Sequence, residues 1–293
     1  LPVPDWLLDL IADGPVLLDG AWGTELQARG LAPGEMPDVW NLTQPERVEK
    51  VARAYVEAGS QIILTNTFRA SRIALRSHPD VDRVAEVNRA GVEISRRAAR
   101  GTSRVFASMG PSGKLLIRGD VKADDLRASF EEQAHALADA EPDAIVVETM
   151  TDLAEAEVAI AAARSTGLPV VGCMVFDSGK HKDRTMMGVT PAQAAEALTG
   201  FGADIVGANC GNGIEGYVPV CAGLAAATPC PIWIKANAGI PEFIDGEARY
   251  TTTPEEFASF RQALVDAGAS FLGGCCGTSP AFIRALAATG GAA

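Results

Sequence analysis

The chain has 293 residues, 47% hydrophobic, 21% charged and 6% aromatic, with 30 glycines and 17 prolines. That balance excludes a disordered chain, which needs low hydrophobicity and high charge, and a collagen-like one, which needs glycine at a strict period. Twenty-five Lys and Arg against 37 Asp and Glu leave a net charge of −12; this repels phosphate backbones and anionic lipid, so the expected partner is small and neutral or cationic, with no nucleic acid.

In chain order, the opening Leu-Pro-Val-Pro-Asp-Trp lacks the basic end and apolar core of a secretory signal, and a cytoplasmic location is expected. Eight short apolar runs follow, at 16–19, 61–65, 104–108, 144–148, 169–174, 204–209, 231–236 and 270–274. Between and after them lie Ala-rich stretches of helical character at 45–58, 80–100, 123–140, 152–166, 190–200, 214–227, 254–267 and 280–288. Thr43, Thr190 and Thr253, each just ahead of a proline, are expected N-caps. Residues 216–234 carry no charge, long enough to raise a membrane span, but Pro219, Pro229 and Pro231 with Gly223 would break it, and no membrane is expected.

Near-continuous apolar strands suit a parallel sheet buried on both faces, and strict alternation of strand and helix gives right-handed crossovers. Eight units in one chain of this length predict a single-domain (β/α)8 TIM barrel over 1–293. No G-x-G-x-x-G opens the first helix, which removes the support for a dinucleotide fold.

Barrel chemistry sits at the carboxyl ends of the strands. Asp19-Gly20-Ala21-Trp22 follows the first run, Thr65-Asn66-Thr67-Phe68 the second and Glu148-Thr149 the fourth. Asn209-Cys210-Gly211 follows the sixth, Asn237-Ala238-Gly239 the seventh and Gly273-Gly274-Cys275-Cys276-Gly277-Thr278 the eighth. Two readings of Cys210, Cys275 and Cys276 remain open on spacing alone: small buried core residues, or three thiolate ligands of a catalytic zinc with its fourth position free. Adjacent strand residues point to opposite faces, so Cys275 and Cys276 need the surrounding glycines to turn both sulfurs to one point. Cys173, Cys221 and Cys230 are expected in the core. Asp19 and Glu148 are either strand-end caps or receptors for a cationic amine. His78, His135 and His181 fall in loops or on a helix, and no G-x-S-x-G elbow supports a Ser-His-Asp site.

Together the segments from Leu18 to Thr24, Thr65-Asn66-Thr67-Phe68, Gly207-Ala208-Asn209-Cys210, Asn237-Ala238-Gly239 and Gly273 to Thr278 resemble the zinc-dependent homocysteine S-methyltransferases. This group includes betaine-dependent, S-methylmethionine-dependent and cobalamin-dependent enzymes. The resemblance runs from Leu18 to about Leu286. It implies a (β/α)8 barrel and zinc on Cys210, Cys275 and Cys276. It also implies a homocysteine amine on Asp19 and Glu148, and the substrate carboxylate on backbone amides near Gly20 and Ala21. Asn209 resembles an Asn that occupies the metal's open position before substrate binds. The segment Lys235 to Pro241 looks most like the homocysteine module of cobalamin-dependent methionine synthase. On that likeness the donor is methylcobalamin carried by a partner corrinoid protein, ahead of S-methylmethionine or S-adenosylmethionine. Betaine ranks lower, because a quaternary ammonium is best held by an aromatic cage. Methyl transfer to a different thiol, or a zinc-holding subunit of a corrinoid assembly, are the alternatives.

Overall fold

A strand covered on both faces must be apolar at consecutive positions, and every one of the eight runs contains a strand. The computed structural model describes residues 4–240, 242–244 and 247–290, with 242–244 and 247–249 described by backbone alone. Pro241, at the end of the segment singled out above, and the ends of the expected 1–293 domain lie outside the described residues. The strands are β1 (Val16–Leu17), β2 (Ile62–Ile63), β3 (Arg104–Met109), β4 (Ala144–Met150), β5 (Val170–Met174), β6 (Ile205–Gly213), β7 (Ile232–Asn237) and β8 (Ala269–Gly274). They are joined in the order β1-β8-β7-β6-β5-β4-β3-β2, each pair parallel.

Between β1 and β2 the ladder gives way to mixed contacts. Gln61 N donates to Leu17 O at 2.7 Å, Leu17 N donates to Gln61 Oε1 at 2.9 Å, and Ser60 Oγ donates to Leu18 O at 3.1 Å. The seam closes the sheet into the expected (β/α)8 barrel, with helices outside it.

Side chains along each strand alternate between two cores. On β7, Ile232, Ile234 and Ala236 pack outward among the helices, while Trp233 joins the barrel interior. The same parity on β3, β4 and β6 sends Phe106, Val146 and Ile205 inward and Ala107, Val147 and Val206 outward. Inside, Trp233 stacks on Phe106 at 5.8 Å and tilts on Phe271 at 5.4 Å. A Cβ on Gly207 would lie 2.1 Å from the Trp233 carbonyl oxygen, so only glycine lets β6 and β7 approach there.

Helix Asp5–Ala12, which the apolar pattern did not predict, covers the amino-terminal end of the barrel. Leu7 enters the interior core, and Trp6 meets Phe106 edge-on at 6.2 Å. Three expectations about helices need correction. Thr43 does not cap: Gln44 holds the N-cap position and the Thr43 hydroxyl turns back to Val39 O at 3.3 Å. The helix expected at 80–100 opens as a 3-10 turn, Pro79–Arg83, before Val84–Ala99, because Pro79 starts a tighter turn in which Asp80 is not helical. The helix expected at 254–267 is interrupted at Phe260, whose N–H bonds back three residues to Phe257 O at 3.3 Å. Thr190 and Thr253 form full capping boxes with Gln193 and Glu256. No helix among the described residues is long and apolar enough to cross a membrane.

Candidate metal centre and substrate pocket

The barrel brings Cys210, Cys275 and Cys276 together: their sulfurs all lie within 4.8 Å of one another, with Cys210 and Cys276 3.9 Å apart. Two local devices do this. Inward alternation along β8 passes through Phe271 and Gly273 to Cys275, the residue after the strand. Thr278 N then donates to Cys275 O at 3.1 Å while Gly277 takes φ +80°, the signature of a type II turn with glycine at its third position. The turn swings Cys276 to the side Cys275 faces, which settles how neighbouring residues share one point. Cys210 sits in β6 at φ +63°, a left-handed conformation unusual for a side-chain-bearing residue, and Tyr217 Oη donates to its carbonyl at 2.5 Å.

Tetrahedral zinc with Zn–S bonds of about 2.3 Å needs sulfurs about 3.8 Å apart, so the trio fits that ion with little adjustment. The proton chemistry agrees. The thiols of Cys275 and Cys276 hydrogen-bond the Cys210 sulfur and pull its pKa down to about 3, while those same bonds to Cys210, with burial, push the two thiols up. One thiolate is thus stable among two thiols, and three negative charges in this volume require a cation. Among the described residues this is the one group of three or more His, Cys, Asp or Glu side chains with such spacing.

Glu148 ends the inward face of β4, 7% exposed, deeper in the mouth. Ser108 Oγ donates to its Oε1 at 2.5 Å and Asn209 Nδ2 to its Oε2 at 3.1 Å. Burial pushes its pKa above the ordinary glutamate value, partly offset by the nearby Lys235 charge and the Ser108 hydrogen bond. Asp19 is 0% exposed and lies at the β1–β2 seam. Its Oδ2 accepts from Leu64 N and Trp22 Nε1, both at 2.7 Å, and its Oδ1 is paired with Lys235 Nζ. Burial works against the Lys235 charge, but Asp19 and Glu148 outweigh it and hold that ammonium above the ordinary lysine value.

Other expected residues are placed differently from the simplest picture. Asn209 is committed within the protein: Oδ1 accepts from Thr149 N at 2.7 Å, while Nδ2 serves Glu148 and Thr149 Oγ1. Its amide nitrogen orients Glu148 while its oxygen is engaged by the Thr149 backbone. The uncommitted amide oxygen belongs to Asn237. Its Nδ2 donates to Gly211 O at 2.8 Å, its side chain hydrogen-bonds Cys210, and its Oδ1 is buried without a partner. The Ala21 N–H is already given to Thr278 Oγ1 at 3.2 Å, and Gly20 packs against Thr278 and Tyr55, where a Cβ would meet Thr278 Oγ1 at 2.7 Å. Cys173 and Cys221 are core residues, as expected, whereas Cys230 is only half-buried, packed against the core from the turn ahead of β7.

Sequence reasoning missed Lys235 as a site residue. The signal was present: two-residue spacing from Trp233 to Asn237 places a charged residue on the inward face of a strand.

A (β/α)8 barrel with a three-thiol centre and a buried carboxylate at its mouth has the donors for one metal ion and a seat for a small charged ligand. The chain belongs to the homocysteine S-methyltransferase family, whose model matches residues 16–289. It is similar to the homocysteine methyltransferase MmuM from Escherichia coli. The metallated form of that enzyme superposes with a TM-score of 0.79 at 26% identity, over 97% of this chain and 98% of that one. The oxidised form superposes with a TM-score of 0.77, also at 26% identity, over 97% and 98% of the two chains. It is 30% identical over 96% of its length to methionine synthase of Mycobacterium tuberculosis, and 29% identical over 96% to that of Mycobacterium leprae. The chain spans 25% of the length of each of these two relatives.

Proposed function

We propose that this chain methylates the thiol of homocysteine to give methionine, using zinc held by Cys210, Cys275 and Cys276. The observation that carries the reading is the meeting of three thiols, spaced for one tetrahedral ion, with a buried carboxylate in the same mouth. Zinc bound there would lower the pKa of an incoming thiol and keep its sulfur nucleophilic. Asn237, with its uncommitted Oδ1, is the amide suited to the fourth position in the absence of substrate; this replaces the role first given to Asn209.

The remaining work falls to the chain's own side chains. The substrate ammonium sits in the negative field that Asp19 and Glu148 together set up, and Ser108 and Asn209 fix the Glu148 carboxylate so that it does not rotate. The acceptor thiol gives up its proton to solvent. Its sulfur bonds the methyl carbon as the carrier–methyl bond breaks, and that bonding pair stays with the carrier. Gly20 and Ala21 line the same rim and are the proposed seat of the substrate carboxylate, which would share the Ala21 N–H with Thr278.

Methylcobalamin, presented by a partner corrinoid protein or by another part of a longer chain, is the favoured donor. The likeness of the β7 segment and the mycobacterial methionine synthases supports it, with S-methylmethionine and S-adenosylmethionine as the other donors. A reducing cytoplasm suits a centre built from free thiols. Methionine formation from homocysteine, measured with each of the three donors on zinc-loaded protein, tests the reading. Turnover with one is expected, and inactivity with all three would overturn it.

A further inference from the structure

Lys235 is an ammonium 2% exposed inside a site whose expected ligand also carries an ammonium, and the reading above leaves it unused. Two buried carboxylates facing a substrate cation need no second cation of their own unless one of them has another task. Asp19 has such a task. Both acceptor positions of its Oδ2 are filled, by Leu64 N–H and Trp22 Nε1–H, and these bonds tie β2 and the first strand-end loop to the seam. Its Oδ1 is held by Lys235, and no part of the residue reaches solvent. Glu148 differs on each count: it is 7% exposed and each oxygen accepts a single hydrogen bond.

Charge counting leads to the same division. With Asp19 and Glu148 ionised and Lys235 charged, the cluster carries one net negative charge, which one substrate ammonium neutralises; without Lys235 it would carry two. We propose that Lys235 is a positioning residue, the internal counter-cation of Asp19, and that it withdraws Asp19 from amine recognition, leaving Glu148 as the single carboxylate that reads the acceptor's ammonium. This rests on the homocysteine reading and deepens it. The Asp19–Lys235 pair closes the barrel seam and sets the field, and selectivity for an α-amino thiol is carried by Glu148 alone.

Calorimetric titration of zinc-loaded protein with homocysteine and with 4-mercaptobutanoate, the same thiol acid without the amine, tests the division. The wild-type chain is expected to prefer homocysteine by about 30-fold or more, the scale of a buried charge contact. Glu148→Gln should bring the two thiols within about 3-fold of each other, since the contact that separates them is gone. The double variant Asp19→Asn with Lys235→Met removes both charges together. It should weaken both thiols in parallel and keep the preference within about 3-fold of wild type, because the charges it deletes cancel. Loss of the preference in the double variant, or its survival in Glu148→Gln, would overturn the proposal while leaving homocysteine as the acceptor. Equal binding of the two thiols by the wild-type chain would also overturn it, and binding of neither would overturn the homocysteine reading itself. Should circular dichroism show the double variant unfolded, the Glu148→Gln ratio decides alone.

Discussion

The two ends of the barrel interior are built from the same strands with opposite results. Toward the amino-terminal end, inward positions carry Phe106, Val146, Ile205, Trp233 and Phe271, stacked and closed off by helix Asp5–Ala12. Two residues further along β3, β4 and β7, the inward positions carry Ser108, Glu148 and Lys235, and Asn237 follows on β7. The first end gains free energy by burying apolar area. The second buries charge and amide groups and holds them with one another; each end keeps a bare polar atom, Trp233 Nε1 in the first and Asn237 Oδ1 in the second. Side-chain-bearing residues in left-handed conformation, Thr149 and Cys210, flank this second end. Stability is thus concentrated at one end and chemistry at the other, two residues apart on one strand.

Substitutions at the two ends should therefore separate function from folding. Cys276→Ser removes one of the three proposed metal donors. Zinc affinity should drop by more than the 10–100-fold or so lost when a ligand's outer support is removed, and methyl transfer with it, while metal-free wild type and variant unfold at the same urea midpoint. Metal analysis after buffered dialysis, beside a urea titration, measures both. Trp233→Ala opens a cavity in the interior stack and should cost about 3–5 kcal/mol of unfolding free energy. A midpoint unchanged from wild type would show that the stack is not what holds the base.

Asp38 extends the comparison to a buried carboxylate outside the strands with one of its two oxygens unpartnered. Its Oδ1 accepts from Arg69 N at 2.8 Å, its Oδ2 is buried without a partner, and burial raises its pKa to about 6. The folded state therefore holds this proton more tightly than the unfolded state, so the ionised group opposes folding above about pH 6, and the penalty fades as pH falls toward the ordinary value. Asp38→Asn should stabilise the protein by about 2–3 kcal/mol at pH 8 and by almost nothing at pH 4; denaturant curves at the two pH values measure the difference. The smallest effect is expected at Thr190, whose capping box lies outside the pocket. Thr190→Ala should cost about 1 kcal/mol in the same titration and leave thiol binding unchanged.

The sequence revealed the barrel because strands buried on both faces are apolar at consecutive positions, and all eight stood out against Ala-rich helices. Helix Asp5–Ala12 was overlooked although Pro4, the acidic first turn and Gly14 mark its limits; its apolar residues gave no strand-and-helix alternation to follow. The three cysteines were legible as a group only through the strand ends that carry them. The turn that aligns Cys275 with Cys276 depends on one backbone angle at Gly277, which residue types permit but do not dictate. Asn209 and Asn237 look alike in the sequence because both lie at strand ends and both are amides. What separates them is a hydrogen-bond inventory: the Asn209 amide is engaged at both ends by Glu148 and Thr149, whereas Asn237 keeps an oxygen bare. Lys235 was hidden for a related reason, since its partner Asp19 is 216 positions away in the chain.

The most direct test of the central claim, that this rim holds one metal for a substrate thiol, is X-ray absorption at the zinc edge of the loaded protein before and after homocysteine. Three sulfur neighbours and one lighter donor are expected without substrate, and four sulfurs with it. A sulfur count unchanged by homocysteine, or a resting site with fewer than three, would contradict the account.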